Sequence, residues 1–254
     1  MLIFNQKRII VIFCMIFVSL FAFSFKIASY NIKAQEITTQ TVALPVTNRV
    51  IVIDAGHGTP DEGAESSNGV TEAQINLKIA LKLQNLLEQS GATVILTRSD
   101  ENAIYDLDAT TLREKKVSDI NNRVKIGNEA SADIFVSIHL NKIPQNQYWG
   151  WQCFYNQNEK SKVLAESLQN NLNEAMQKEN KRIAMKLDTV YIMKHVEIPT
   201  SIVECGFLSN AEEEKMLQED NYQDKLAWGI YNGIMDYFKS RSTSWCTSKS
   251  LYKL

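Results

Sequence analysis

The stretch IVIDAGHGTPDEGAESSNGVTE, Ile51–Glu72, contains the local patterns from which the fold is predicted. It begins with an apolar run rich in β-branched residues, which is typical of a buried strand. The run stops at a Gly-His-Gly turn centred on His57, and a helical pattern begins fifteen residues later at Glu72. A strand, a turn and a helix in this order form the first part of a βα unit, the building block of parallel sheets.

The same alternation continues along the chain. After Glu72 the apolar residues recur at helical spacing until Gly91, and glycine is common just beyond the end of a helix. Further strands are predicted at ATVILTR, DIFVSIH, WGWQCFYN, TVYIM and TSIVECG, and further helices at 117–130, 162–177, 211–218 and 222–238. Strands that alternate with helices indicate an α/β fold, here a single domain whose mostly parallel central sheet is flanked by helices.

The N-terminal segment has a different composition. Lys7 and Arg8 precede seventeen residues without a charge, Ile9–Phe25. This pattern is typical of a signal peptide or a signal anchor, and either one places the rest of the chain outside the cytoplasm. The apolar run is close to the lower length limit of a membrane span. Its one small-residue cleavage pattern, Ala22–Ser24, lies inside the run, which favours an uncleaved anchor.

These patterns divide the chain into four parts. We predict a signal peptide or signal anchor over 1–29, a polar linker stem over 30–48, a folded domain over 49–239 and a polar, loosely ordered tail over 240–254. A net charge of −2 gives no reason to expect a nucleic-acid partner. The four cysteines contain no CxxC pair, so neither a disulfide framework nor a cysteine metal site is predicted. The dinucleotide pattern GxGxxG and the serine-hydrolase pattern GxSxG are also absent.

Polar residues stand at the ends of three predicted strands: His57, His139 and Glu204. In open α/β sheets, ligands bind beyond the carboxyl ends of the strands. Glu72 joins this group because its helix follows directly from the loop that leaves His57. Two imidazoles and a carboxylate are a common catalytic zinc set, which leaves a fourth position for water. Glu204 would then be a free carboxylate, suited to general acid–base chemistry.

Structural explanations exist for each of these residues. His57 could simply stabilise its turn, and Glu72 could interact with the dipole of the helix that it opens. His139 could be a hydrogen-bonded residue at a strand end, and Glu204 could pair with a lysine. The spacing alone does not decide between these explanations and a metal site.

Five motifs together resemble a known family. The segments VIDAGHGTPDEGA, NLKIALKLQNLL, TR at Thr97–Arg98, SADIFVSIHLN and IPTSIVECGFLSN occur in this order. The set resembles the zinc-dependent N-acetylmuramoyl-L-alanine amidases of the type-3 family, and the likeness runs from about Val50 to Phe238. The resemblance implies that His57, Glu72 and His139 bind Zn²⁺ and that Glu204 is the catalytic carboxylate.

Two further residues lie in matched motifs and receive supporting roles only. Arg98 is expected to pair with Asp100 or a neighbouring carboxylate, and Asn141 to orient substrate or to turn its loop. His195 is expected to face solvent rather than the cleft. Trp149 and Trp151 could stack on a sugar or meet a partner protein. The sequence departs from the family at Ala55, where proline is common, and at Lys194, where an arginine-like residue is usual, and neither is a proposed ligand.

The resemblance also implies a reaction, a substrate and a place in the cell. The amide between the lactyl group of N-acetylmuramic acid and L-alanine in peptidoglycan would be hydrolysed, with Glu204 taking the proton of the attacking water. The short catalytic body over 49–239, the N-terminal apolar segment and the lack of repeats resemble the germination-specific, spore-cortex members, which form muramic-δ-lactam. A general amidase of the vegetative wall and a partner-dependent wall-binding homologue are the alternatives. The enzyme is expected outside the cytoplasm, membrane-anchored or secreted, with an accessory membrane protein or lipoprotein as one means of targeting.

Overall fold

The computed structural model describes residues 15–27 and 43–250, with side chains up to residue 241. The chain divides into two compact units between Ala43 and Leu44. In the first unit, residues 15–27 form a helix, α1. Within the described ranges, no helix is both long and apolar enough to cross a membrane. Most of the predicted signal segment over 1–29 and of the stem over 30–48 lies outside the described residues, so both stay predictions.

The second unit contains six strands and six helices among its described residues. The strands are β1 (Val50–Ala55), β2 (Thr93–Leu96), β3 (Ile134–Asn141), β4 (Gln152–Tyr155), β5 (Met185–Lys186) and β6 (Thr200–Phe207). The helices are α2 (Glu72–Gln89), α3 (Leu112–Glu129), α4 (Glu159–Met176), α5 (Tyr191–His195), α6 (Ala211–Gln218) and α7 (Asp220–Ser250). Val46 is fully buried against this unit's core, ahead of the first strand.

The strands form one six-stranded sheet in the order β2-β1-β3-β6-β4-β5. The four strands β2, β1, β3 and β6 are mutually parallel, whereas β4 runs antiparallel to β6. The predicted fold class, a single α/β domain with a mostly parallel sheet flanked by helices, is confirmed.

The chain reverses its direction across the sheet at β1. The connection through α2 leads from β1 to β2, and the connection through α3 returns past β1 to β3. Because both crossovers of a parallel sheet are right-handed, this reversal puts α2 and α3 on opposite faces. The crevice between the carboxyl ends of β1 and β3 is therefore the place where an open α/β sheet binds its ligands.

The two faces of the sheet are covered unequally. Alternate residues such as Ile51 and Ile53 of β1 face α2, α4 and α7, and together they form the main core. The intervening residue Val52 and Phe135 of β3 face α3 and α5, where the apolar cluster is much smaller. We call the first side the apolar face and the second the polar face.

One predicted strand is wrong. The segment TVYIM contributes to helix α5, Tyr191–His195. Its buried residues Ile192, Met193 and Val196 follow helical spacing, and the Val196 N–H donates to the Ile192 carbonyl at 3.0 Å. Burial of this one face determines the local structure here, although valine and tyrosine favour strands.

Several helix ends also differ from the prediction. Helix α3 begins at Leu112 rather than 117 because Thr111 and Glu114 form a capping box. Helix α4 begins at Glu159, where the Asn158 side chain accepts from the Lys160 N–H. Helix α7 continues to Ser250, past the predicted helix end at 238 and into the predicted tail. The sequence from 234 to 250 contains no glycine or proline to interrupt the helix, and residues 251–254 lie outside the described residues.

Candidate active site

The strand register places three site positions side by side at the carboxyl end of the sheet. Ala55 pairs with Ile138, so the next residue, Gly56, lies beside His139, and His139 pairs in turn with Glu204 of β6. Side chains of directly paired residues point to the same face of a sheet. A Cβ atom on Gly56 would lie 2.3 Å from Cε1 of His139. The glycine after β1 therefore leaves the space that the imidazole occupies.

His57 follows in a conformation that few non-glycine residues adopt. Its φ is +63°, in the left-handed region. The ring nitrogen Nδ1 lies 3.1 Å from Oδ2 of Asp61, and Nε2 lies 3.4 Å from Oε1 of Glu72. Both nitrogens thus face carboxylates, and the turn directs the ring into the crevice.

Glu72, the first residue of α2, carries the carboxylate at the centre of the site. Its side chain is buried, and Oε1 lies 2.9 Å from Nδ1 of His139 while also accepting from the Leu140 N–H at 3.0 Å. Oε2 accepts from the Ala64 N–H at 2.9 Å. These main-chain donors fix the carboxylate in one orientation before any ligand binds.

His57, Glu72 and His139 together form a group with the composition of a metal site. Each offers one ligand atom, and these atoms all lie within 4.8 Å of one another. The two imidazole rings stand nearly perpendicular, at 81°, with centroids 5.1 Å apart. Two nitrogen donors and one carboxylate oxygen form a set that Zn²⁺ commonly takes in catalytic sites.

Glu204 supplies a second indication of a ligand-binding site. Its Oε2 atom is buried, yet within the described part of the chain it has no hydrogen-bond partner. A buried carboxylate oxygen without a partner is costly. Since Glu204 is the strand neighbour of His139, a ligand bound at the trio would lie close to this oxygen. The residues present therefore fit a metal ion with a water or substrate atom beside it.

The trio and Glu204 have opposite electrostatic surroundings. Burial alone would raise the pKa of Glu72, but the hydrogen bonds to His139 and His57 outweigh it and lower this pKa. Burial would likewise lower the pKa of His57, but hydrogen bonds to Asp61 and Glu72 raise it to about 9. Burial raises the pKa of Glu204 to about 7, against the opposing effect of His139. One carboxylate is thus held ionised while the other can exchange a proton near neutral pH.

Arg98, predicted as a supporting residue, is buried below the Gly-His-Gly turn. Its guanidinium donates to the carbonyl oxygens of Ala55 at 2.8 Å, Gly56 at 3.1 Å and Ala73 at 2.8 Å. It donates to the main-chain oxygen of Asp100 and not to its carboxylate, so the expected side-chain pairing with that residue is wrong. The arginine joins the turn that carries His57 to the first turn of α2.

Arg123 of α3 has a similar position, and it was not among the residues predicted from the sequence. It donates to the His57 carbonyl at 2.6 Å and forms buried ion pairs with Asp54 and Asp119 at 2.6 and 2.8 Å. Burial would raise the pKa of Asp54, but the charge of Arg123 helps to lower it. The available signal was an Asp-Arg pair at i, i+4 spacing, in which each member directly precedes an apolar residue of the helix, Ile120 or Val124.

Asn76 is a second site residue that was not predicted from the sequence. It is fully buried, and its Nδ2 lies 3.2 Å from the Gly56 carbonyl and 3.4 Å from Oε1 of Glu72. It stands one helical turn after Glu72 on the buried side of α2. A polar residue four positions after a candidate ligand was the signal available.

The structure shows other contacts for the remaining candidates. Asn141 uses its main-chain oxygen to accept from the Leu208 N–H at 2.8 Å, just after a register shift in β3. His195 is exposed, stacks on Tyr191 and bonds that residue's carbonyl through Nδ1. Trp151 is fully buried in the main core, so it offers no open face to a sugar.

A cleft of about 240 Å³ opens at the candidate active site. One end is formed by the polar groups of His57, His139 and Glu204. The lining also includes charged and apolar residues from β1, α3, α5, β6 and the connecting loops, among them Asp61, Lys116, Ile120, Leu187, Val190 and Ile202. A polar end with an apolar wall suits a ligand that carries one reacting amide on a partly apolar body.

Comparison with known proteins identifies the family. The model of the N-acetylmuramoyl-L-alanine amidase family matches residues 51–236. The germination-specific N-acetylmuramoyl-L-alanine amidase of Bacillus subtilis is 35% identical over 204 residues, which cover 78% of this chain and 84% of that protein.

Solved structures give the same result. The CwlD amidase from Clostridioides difficile, determined in complex with the GerS lipoprotein, is 42% identical, with a TM-score of 0.74 over 76% of this chain and all of that chain. An N-acetylmuramoyl-L-alanine amidase from Clostridium difficile 630 is 30% identical, with a TM-score of 0.67 over 76% of this chain and 98% of that one. The chain belongs to the N-acetylmuramoyl-L-alanine amidase family, and it is an amidase that acts on peptidoglycan.

Proposed function

We propose that this amidase works with Zn²⁺ held by His57, Glu72 and His139, and that Glu204 is its catalytic acid and base. The observation that carries the proposal is the position of the three ligand atoms, within 4.8 Å of one another. The unpartnered Oε2 atom of Glu204 beside them supports the second part. The bond to be cleaved is the amide between the lactyl group of N-acetylmuramic acid and L-alanine.

The protein side of the chemistry follows from the contacts at the site. Zn²⁺ bound there would supply Lewis acidity, which lowers the pKa of water and polarises a carbonyl group. Glu72 is the only carboxylate of the trio, so the loaded site keeps a net positive charge. Asp61 holds Nδ1 of His57, which directs Nε2 of that ring inward.

Glu204 moves the proton. In its ionised form it takes a proton from the water that adds to the lactyl carbonyl carbon. It then gives this proton to the alanine nitrogen as the carbon–nitrogen bond breaks, so that a carboxylic acid and an amine are released. A pKa raised to about 7 by burial suits a group that must both accept and release a proton.

Glu204→Gln tests this assignment. The amide keeps the shape of the side chain but cannot accept the proton, so we expect turnover of peptidoglycan to fall by about 10²–10⁴-fold. Zinc content, measured by elemental analysis on the same preparation, should stay near that of the unmodified protein. Turnover at the unmodified rate would remove Glu204 from the mechanism.

His139→Ala tests the ligand set. Loss of one of three protein ligands should lower the zinc content clearly, because Zn²⁺ in catalytic sites relies on three protein ligands. The matched control is His195→Ala, which removes the exposed histidine of α5 and should leave both zinc and activity unchanged. Equal zinc content in the two variants would exclude His139 as a ligand.

For the biological role, we propose action on spore cortex in the formation of muramic-δ-lactam. The support is the likeness to a germination-specific amidase over most of that protein's length. The CwlD amidase with which this chain shares 42% identity was determined in complex with a lipoprotein, which supports an accessory lipoprotein here. We further propose that the segment over 1–29, as signal peptide or anchor, brings the catalytic domain outside the cytoplasm.

Cortex composition distinguishes this role from vegetative wall turnover. Cortex from sporulating cells that lack the gene should contain no muramic-δ-lactam, and its spores should fail to complete germination. Normal lactam together with an altered vegetative wall would favour the general amidase instead.

A further inference from the structure

We propose that Lys116 of α3 binds a carboxylate of the peptide that the enzyme releases. This carboxylate belongs to the residue that follows the alanine. This inference rests on the proposed function, because it concerns the leaving side of the same cleft. The ligand class is a muramoyl peptide whose second residue carries a free carboxylate next to its α-carbon.

Lys116 stands at the cleft wall close to the metal trio. Its Nζ lies 2.9 Å from Oδ2 of Asp61, and the same oxygen lies 3.1 Å from Nδ1 of His57. The ammonium of Lys116 is therefore no more than two hydrogen-bond lengths, roughly 6 Å, from the imidazole ring of His57. It belongs to the lining of the cleft that His139 and Glu204 also line.

The ammonium is open to a ligand, in contrast to the other strong cation of the cleft lining. The Lys116 side chain is 51% exposed, whereas that of Arg123 is 2% exposed. Arg123 also directs its N–H groups at the carboxylates of Asp54 and Asp119 and at the carbonyl oxygens of Ala55 and His57. Among the described residues that line this cleft, Lys116 is thus the cation that an anionic substrate group can reach.

The existing ion pair does not block such binding. An ammonium group has three N–H donors, and Asp61 needs only one of them. A pair between two partly exposed side chains contributes little stability. If Lys116 turns towards a substrate, Asp61 still has His57 and the Gly63 N–H, at 3.4 Å, as partners.

The distances also match a short extended peptide. From the nitrogen that is released, the α-carboxylate of the next residue lies roughly 6 Å away when the peptide is extended. A peptide whose alanine nitrogen is beside the trio can therefore place that carboxylate near Lys116. A charged hydrogen bond there would favour a carboxylate over the corresponding neutral amide.

Four proteins and two substrates test the inference. The proteins are the unmodified enzyme and the variants Lys116→Met, Lys116→Arg and Lys115→Met. Lys115 is the matched control because it is the neighbouring lysine, yet its Nζ lies over the Tyr105 ring at 4.8 Å, and it does not line this cleft. The substrates are soluble peptidoglycan fragments that differ only in whether the second stem residue carries an α-carboxylate or an α-amide.

The unmodified enzyme should prefer the carboxylate fragments by about 10–100-fold in kcat/KM, mainly through KM. Lys116→Met should lose this preference while it keeps its activity on the amide fragments and its zinc content. Lys116→Arg should retain most of the preference, and Lys115→Met all of it.

Other results would overturn the inference. A preference that survives in Lys116→Met would show that Lys116 does not read the carboxylate. An equal loss on both fragments, or a loss of zinc, would show that Lys116 acts through Asp61 on the ligand geometry. Failure of the zinc-loaded unmodified enzyme to release peptides from either fragment, even with an extract of sporulating cells added to supply an accessory partner, would instead overturn the proposed function itself.

Discussion

The two faces of the central sheet are stabilised by different kinds of interaction. On the apolar face, β1, β3 and β6 pack against α2, α4 and α7 through fully buried aliphatic and aromatic side chains. On the polar face, a small apolar cluster lies beside buried charged groups, among them Asp54, Asp119 and Arg123. The first face can stabilise the domain by burial alone, whereas the second uses ion pairs and hydrogen bonds that position the active site.

The difference has a physical cause. Burial of apolar surface is non-directional, so it fixes which elements pack together but not the orientation of one carbonyl or imidazole. Hydrogen bonds are directional, and a buried arginine can hold several carbonyl oxygens at once. The Gly-His-Gly turn receives such bonds from both Arg98 and Arg123. Four substitutions and one pH series separate the two kinds of face.

Arg123→Met should have the largest effect, since it leaves Asp54 and Asp119 as buried charges without their partner. Breaking a buried ion pair costs about 3–5 kcal/mol. We expect the free energy of unfolding in urea to fall by that amount, and the folded fraction to hold less zinc. Normal zinc content per folded chain would show that Arg123 has no part in positioning His57.

Leu83→Ala is the contrasting change on the apolar face. Leu83 is fully buried in the main core, so the cavity should cost about 2–5 kcal/mol in the same unfolding experiment. Zinc content per folded chain should be unchanged, because Leu83 lies about three helical turns along α2 from the site residue Glu72. A zinc loss as large as that of Arg123→Met would end the distinction between the faces.

Gly56→Ala should damage the site with a smaller effect on the fold. The new Cβ would overlap the His139 imidazole, 2.3 Å from Cε1, and the ring would have to move. We expect zinc affinity to fall by at least tenfold, as measured by competition with a chelator. The control is Gly69→Ala, whose Cβ would meet nothing closer than 3.9 Å, although its φ of +83° adds some strain. Equal affinities in the two variants would contradict the role of Gly56.

Asn76→Ala should lower zinc affinity by about 10–100-fold, the range typical when a partner of a metal ligand is removed. Its Nδ2 supports both Glu72 and the Gly56 carbonyl. The same chelator competition measures the loss. An affinity within twofold of the unmodified protein would make Asn76 a packing residue only.

Zinc affinity should also depend on pH. In the metal-free site, hydrogen bonds to Asp61 and Glu72 outweigh the effect of burial and raise the pKa of His57 to about 9. Below this value the ring carries a proton that the ion must displace, so affinity should rise about tenfold per pH unit up to pH 9 and then level off. The chelator competition at several pH values shows the slope. A flat profile between pH 6 and 9 would contradict a raised pKa at this ligand.

The sequence predicts much of the fold because the strands β1, β3 and β6 each contain a short, mostly apolar run, which is typical of a buried strand. It also predicts which residues stand at the strand ends, hence the grouping of His57, His139 and Glu204. The sequence does not predict α5, because a helix of five residues is too short to show a helical repeat of apolar residues and its residues have mixed helix and strand preferences. Arg123 is missed for a related reason: on a mostly polar helix, a buried arginine looks like an exposed one until its partners from β1 are in place.

Anomalous diffraction at the zinc edge, from crystals of the zinc-loaded domain, tests the central claim most directly. We predict one strong peak bound by one nitrogen of His57, one nitrogen of His139 and one oxygen of Glu72, with zinc–nitrogen distances of about 2.0–2.1 Å. Glu204 should lie beside the open coordination position without binding the ion. A peak elsewhere in the molecule, or no peak at the trio, would contradict the proposed metal centre.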